Sequence, residues 1–401
     1  MDTPAPGGRV PVHYHAGGHM EFLASTPAWV NEQGQVKAVG HKGRGYPALD
    51  AFRGLAAMIV VLYHVKGVAT DYKGDDPGNG YLAVDLFFAL SGFVLFHAYF
   101  DRFRRDLSSS AFMMLRLIRL YPLYLVGLAI GIAANAIVLL VEPGRAIPPL
   151  PFVANIMTGA AIVPAYPIRG QLFPLNSPCW SLMFELVANA LMAMLWRYIT
   201  PRRIMMVCAI LATAMALYVM GHGHASVGNT WDSFVFGFVR CALSFCIGIL
   251  IYMATKGRSL VIAAPNLLFV ALCLIIAGSL LWSPSRQVTP TYDMAFILLI
   301  SPMCILLGSI IMLEGWVVRI CTVLGVTSYA LYVTHYPMIK VSVILLDRID
   351  GIAYREHLTL IAICYTLIFA SISYALDYFY DFPVRRWLGR AFQKARAKPA
   401  A

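Results

Sequence analysis

The chain has 401 residues, 59% of them hydrophobic and only 13% charged, with 31 Lys and Arg against 20 Asp and Glu and a formal net charge of +11. Soluble domains carry about 25% charged residues. A water-soluble fold of this size has too little interior for so much apolar side chain, so the solvent is a bilayer. Nucleic acid is not expected as a partner, because the basic residues flank apolar runs, where they set orientation and meet anionic lipid headgroups.

Residues 1–45 are rich in Gly, Pro and His and hold no apolar run; they read as a flexible cytoplasmic tail and not as a signal peptide. Ten apolar stretches follow, near 48–69, 80–100, 119–141, 178–199, 204–220, 233–254, 260–282, 293–313, 323–346 and 358–380. Each is close to the roughly 20 residues that a helical crossing needs. A further stretch, Phe152 to Pro164, is too short to cross and reads as re-entrant or interfacial. The expected fold is therefore all-α, a polytopic membrane helical bundle of about ten transmembrane helices. It is read as one membrane domain over 46–388, followed by a basic cytoplasmic tail over 389–401. With the N-terminus in the cytoplasm, 21 of the 31 Lys and Arg residues fall on the cytoplasmic side and seven on the other. That bias predicts both termini in the cytoplasm.

Charged groups at bilayer depth cost roughly 3 kcal/mol or more each, so those inside the spans are where function is sought. In span 1, Asp50 and Arg53 stand three apart on one face. His64 follows Arg53 by eleven residues, close to three turns, which places it on the same face about 16 Å further along. An arginine at the cytoplasmic end suits a phosphate-bearing donor, and a deeper histidine suits a general base. The structural alternative is a snorkelling Arg53 and a His64 bonded to a neighbouring span. In span 2, Asp85 is an acid near the outer end, expected to pair with His64 or with a cation from the outer side. Ser91 and Gly92 are small enough for close helix packing. Arg116 and Arg119, three apart where span 3 begins, present two guanidinium groups as an anion clamp, or else anchor the span by charge alone. In span 4, Trp180 lies at the outer interface and Glu185 five residues deeper; His64, Arg240 or Lys340 are its candidate partners. Asp293, His335 and Lys340 are the remaining ionisable groups of spans 8 and 9. Asp377 and Asp381 stand beside Arg385 and Arg386 at the end of span 10, where they read as anchoring.

Other patterns lack the chemistry they suggest. The eight cysteines contain no CxxC pair and read as small buried hydrophobes. His13 and His15, and His222 and His224, have no neighbouring Cys or carboxylate, so no metal site is expected. There is no GxSxG turn around Ser259 or Ser301, and no glycine-rich loop ending in Lys-Ser/Thr.

Four blocks in order resemble the acyltransferase-3 family of bacterial membrane O-acyltransferases, which modify exopolysaccharide, lipopolysaccharide, osmoregulated glucans or macrolides. LDAFRGLAAMIVVLYH (49–64) resembles the opening motif, in which Arg or Lys precedes His by ten intervening residues, here Arg53 and His64. VDLFFALSGFVL (84–95) resembles the second-span motif, RLIRLYPLY (116–124) the paired-arginine motif, and NSPCWSLMFEL (176–186) the motif carrying Trp180, Ser181 and Glu185. Weaker blocks surround Arg240 with Phe245 and Gly248, and run through LGVTSYALYVTHYP (324–337) with His335. The chain departs from the family in Asp381-Phe382-Pro383, where Glu-Lys-Pro is usual, and in Cys179, where an apolar residue is usual. It ends 18 residues after Pro383 and is expected to lack the SGNH-type domain that some members carry.

The resemblance implies a multi-pass protein of the inner membrane that moves an acyl group, acetyl in the first instance, from cytoplasmic acyl-CoA to a saccharide or glycolipid hydroxyl. Acyl-CoA is a co-substrate; no bound cofactor or metal is implied. Arg53, Arg116 and Arg119 are assigned to the CoA phosphates; His64, Glu185 and Asp85 to catalysis; and Trp180, Ser181, Arg240 and His335 to the acceptor. Two alternatives use the same charges: a saccharide or anion transporter, and a silent scaffold in an export complex.

Overall fold

The structure is a computed structural model that describes residues 45–72, 78–165, 170–256 and 265–397. The tail expected over 1–45, with His13 and His15, lies outside these residues apart from Gly45, as do Lys73, Arg169, Arg258 and Ser259.

The described residues are helical apart from loops and one isolated antiparallel bridge, Gln171 with Thr230. The helices are α1 (Pro47–Ala69), α2 (Ala83–Arg105), α3 (Ser109–Val141), α4 (Pro149–Ala160), α5 (Trp180–Leu195), α6 (Pro201–His222) and α7 (Phe234–Thr255). There follow α8 (Pro265–Leu281), α9 (Thr289–Ala295), α10 (Ser301–Ile310), α11 (Trp316–Asp350), α12 (Leu358–Leu376) and α13 (Phe382–Ala397). Local chemistry sets the starts. Pro47 opens α1, where no N–H partner is needed. Ser108 caps α3 by accepting from the Ala111 N–H at 3.2 Å. One π-turn, Phe296–Ile300, joins α9 to α10, and another, Asp377–Asp381, joins α12 to α13.

Among the described residues, nine helical runs are long and apolar enough to cross a membrane, with α9–α10 and α12–α13 each counted as one. The tenth expected span is α8, 17 residues long. It runs alongside α1: its Phe269 stacks on Phe52 near the start of α1 at 6.2 Å, while Leu280 and Leu281 lie against Gly78, two residues before Gly80, which packs on Tyr63 near the other end of α1. Helix direction agrees. Gly54 meets Leu324 and His64 meets His335, so α1 and α11 run parallel, as the first and ninth of alternating spans must. The start of α1 and the end of α12 therefore share one end of the bundle.

The short α4 does not cross. In hydrocarbon a helix end needs internal partners. Here the Gly159 and Ala160 carbonyls accept from the Tyr124 and Tyr121 hydroxyls at 2.5 and 2.7 Å. Two boundaries differ from expectation. α3 starts at Ser109, ten residues before the apolar stretch, so Arg116 and Arg119 lie within a helix and not at its entrance. The basic stretch expected as a tail from 389 is helical as far as Ala397, continuing α12 through the π-turn.

Two packing devices position the site. A Cβ on Gly92 would overlap the Phe245 carbonyl, and one on Gly248 the Ala89 carbonyl, so α2 and α7 touch backbone to backbone. Pro337 inside α11 removes the N–H that would bond the Val333 carbonyl. Asn176 Nδ2, from the loop before α5, donates to that oxygen at 2.7 Å.

Candidate active site

Ionisable residues from α1, α2, α3, α5, α7, α9 and α11 and from the α12–α13 junction gather at three levels. The first lies at the end where α1 begins. Arg53 donates to Asp50 at 3.0 Å, as their spacing predicts, to Ser328 Oγ at 2.9 Å and to the Gly325 carbonyl at 3.0 Å. The paired-arginine expectation needs correction. Arg116 turns to Glu185 at 2.9 Å, whereas Arg119 turns to Asp381 at 3.4 Å. Asp381 also forms an ion pair with Arg385 at 2.7 Å, and Arg385 donates to Asp377 at 3.2 Å. Arg116, Arg119 and Glu185 all lie within electrostatic reach of Arg53. Exposure separates their roles. The Arg53 and Arg119 side chains stay 36% and 30% exposed, against 12% for Arg116, so Arg53 and Arg119 are the more accessible guanidinium groups of this level.

Glu185 does not meet His64, Arg240 or Lys340. Its Oε1 accepts from Arg116 and from the Ser91 hydroxyl at 2.7 Å, joining α2, α3 and α5. The physical reason is depth: Glu185 sits on the level of Arg116, well away from His64 along the bundle.

The second level holds His64 and His335. Nδ1 of His64 lies 2.9 Å from the Val60 carbonyl oxygen. A carbonyl only accepts, so Nδ1 carries the proton and Nε2 keeps its lone pair. The same logic applies to His335, whose Nδ1 lies 2.9 Å from the Leu331 carbonyl. His335 Nε2 approaches His64 Nδ1 at 3.4 Å. Tyr63 and Tyr336 each meet the His64 ring edge-on, with centroids 5.1 and 5.2 Å away. One turn before His335, Tyr332 bonds Ser181 Oγ at 2.6 Å, which ties α11 to α5. Ser181 is buried and bonded to Tyr332 and the Pro178 carbonyl, so it meets internal partners.

The third level is a buried ion pair. Asp85 is bonded by Arg240 at 2.6 Å and by Ser244 at 3.2 Å, and does not reach His64. Arg240 also donates to the carbonyls of Val227 and Tyr81 and lies over the Trp180 ring at 5.9 Å. Asp85 and Arg240 are each 1% exposed. With each charge taken up by the other, the pair ties α2 to α7 and to the loop before α7, and neither side chain presents a free group. Beside it Asp293, fully buried, accepts from the Tyr81 hydroxyl at 2.8 Å and the Ala225 N–H at 2.7 Å. Trp180 is buried against Phe88 and Phe184.

The sequence reading left several partners unassigned: Ser91, Ser328, Tyr332, and Asp381 in its tie to Arg119. Ser328, Tyr332 and His335 are spaced by four and three residues, the signature of one helix face, so the α11 partners had a legible signal. Asp381 had none, since its link to Arg119 spans 262 positions.

Comparison with known proteins places the chain among membrane acyltransferases. The acyltransferase-3 profile, described as an acyltransferase domain, matches residues 46–378. "Protein 2 in picA locus" of Rhizobium radiobacter is 40% identical over 179 residues, covering 42% of this chain and 91% of that protein. The BcsY protein of Komagataeibacter xylinus, which carries the name of a membrane-bound transacylase, is 27% identical over 349 residues, covering 82% of this chain and 83% of that protein. No solved structure gives a significant match. Since the profile covers most of the chain, from the start of α1 to the end of α12, the chain belongs to the acyltransferase-3 family and is a multi-pass membrane acyltransferase.

Proposed function

We propose that the protein transfers an acyl group, acetyl in the first instance, from acyl-CoA to a hydroxyl of a cell-surface or exported saccharide, at the bacterial inner membrane. The observation that carries the reading is the state of His64. Its Nδ1 proton is engaged by Val60, so Nε2 is the basic nitrogen, eleven residues and about 16 Å along α1 from Arg53. An extended pantetheine arm covers such a distance.

The CoA phosphates dock at Arg53 and Arg119, where guanidinium groups keep exposure at the end of the bundle that the Lys and Arg bias places in the cytoplasm. Arg116 holds Glu185 and shapes that entrance. The acceptor hydroxyl comes from the other side and donates to His64 Nε2. Its oxygen attacks the thioester carbon, the C–O bond forms, and the C–S bond breaks. The hydroxyl proton passes to Nε2 and then to the departing sulfur, giving the ester and free CoA thiol. The Asp85–Arg240 tie supports the His64 level through Tyr81, whose ring faces Tyr63 at 6.3 Å.

The test uses purified full-length protein in nanodiscs with acetyl-CoA. Wild type is expected to bind it and slowly release CoA thiol, and His64→Ala to bind without release, a loss of roughly 10²-fold or more. Unchanged release in His64→Ala overturns the mechanism. Failure to bind acetyl-, succinyl- or longer acyl-CoA overturns the donor assignment and favours transport.

A further inference from the structure

We propose that His335 is a positioning residue for the general base: it fixes the tautomer and ring orientation of His64 in place of the carboxylate that usually does so. The proposal rests on the reading of His64 as base. Two acceptors converge on His64 Nδ1, the Val60 carbonyl at 2.9 Å and His335 Nε2 at 3.4 Å. The second is an acceptor because His335 Nδ1 is committed to the Leu331 carbonyl. The order of donation is therefore one-way. His335 gives its proton to α11 backbone and offers its lone pair to His64, and His64 gives its Nδ1 proton to both acceptors.

A flipped His64 ring, or its other tautomer, would turn a lone pair or a carbon towards two acceptors in a low-dielectric interior. That arrangement forfeits both bonds and leaves buried groups unsatisfied. His64 is therefore held with Nε2 free in the resting state. When Nε2 takes the acceptor proton, the ring becomes an imidazolium with N–H at both nitrogens. The proton already on Nδ1 stays there, and its bonds to Val60 and His335 strengthen as the charge appears. Among the described residues no carboxylate lies within ion-pair distance of His64, so neutral acceptors carry this task. His335 is fully buried, so its Nε2 has no access to bulk water as a competing donor.

The helix register makes the dyad. α1 and α11 run parallel and cross where Gly54 meets Leu324, which brings the two histidines level. In His335→Gln the side-chain oxygen can take the place of Nε2 as acceptor. In His335→Ala nothing can.

The experiment compares wild type, His64→Ala, His335→Ala and His335→Gln as full-length proteins in nanodiscs, with acetyl-CoA as the probe and CoA thiol release as readout. His335→Ala is expected to lose on the order of 10–100-fold in kcat, part of the roughly 10²–10⁴-fold that general acid–base catalysis supplies. KM for acetyl-CoA is expected to stay unchanged, and His335→Gln to recover most of the loss. Equal losses in the two His335 variants would mark a packing role and overturn the proposal. So would wild-type kcat in His335→Ala beside an inactive His64→Ala. Full activity in His64→Ala overturns the underlying reading instead. A measurement on wild type stands apart from variant folding: ¹⁵N NMR of labelled histidine is expected to show both rings protonated at Nδ1. A ring protonated at Nε2 in either residue would sink the dyad.

Discussion

At the scale of single residues, the site is governed by which charge each arginine is given. Arg116 and Arg119 share a helix face, yet they serve different carboxylates with different exposure. Arg119→Ala is therefore expected to weaken acyl-CoA binding at least about tenfold, as loss of a charge-assisted contact worth roughly 1.5–3 kcal/mol. Arg116→Ala is expected to act first on folding, because it leaves Glu185, 20% exposed, without its cation. Isothermal titration with CoA and thermal unfolding of the same two variants separate these effects; the reverse pattern would reassign the phosphate contacts. Arg240 is a sharper case. Arg240→Met leaves Asp85 buried and alone, a change that costs about 3–5 kcal/mol. Adding Asp85→Asn is expected to recover much of that loss, and a double-mutant cycle on unfolding midpoints checks it.

At the scale of helices, close approach is bought with small residues and repaired backbone. Gly248→Leu would force α2 away from α7, because the obstacle is the Ala89 carbonyl and not a movable side chain. The cost is expected to exceed the roughly 1–3 kcal/mol of ordinary overpacking. Size-exclusion profiles of the variant are expected to show little monodisperse protein. Asn176→Ala withdraws the donor from the Val333 carbonyl that Pro337 leaves open. A buried unsatisfied acceptor costs about 1–3 kcal/mol, so a lowered unfolding temperature is expected, and an unchanged one would show that another donor reaches Val333. The Ser328–Tyr332–His335 face of α11 is where an element joins levels: it bonds Arg53 through Ser328 and α5 through Tyr332, and approaches His64 through His335.

At the scale of the whole molecule, α1 and α11 run parallel and α12 returns beside them, so the start of α1 and the end of α12 share one end, and the exposed arginines lie there. If the Lys and Arg bias sets orientation, this end faces the cytoplasm. Proteoliposomes with acetyl-CoA supplied on one side are expected to release CoA thiol only when it meets the Arg53–Arg119 end. A fluorescent-protein fusion at the C-terminus is expected to be bright in cells. Release from either face would show that the arginines do not define the donor entrance.

The membrane setting and the all-helical, multi-pass fold were legible in the sequence, because they rest on a local quantity, hydropathy over about 20 residues; helical spacing likewise placed Arg53 beside Asp50 and three turns before His64. The short α4 was legible by length alone. What the tertiary structure decided is pairing. Glu185 met Arg116 and not His64, Asp85 met Arg240, Arg119 met Asp381 across 262 positions, and His64 met His335. A helix carries its charges at known heights and angles, but which helix faces it depends on packing, through contacts such as Gly92 on Phe245 and Gly54 on Leu324. Those contacts follow from the fit of backbone surfaces brought together from distant parts of the chain, which no local pattern encodes.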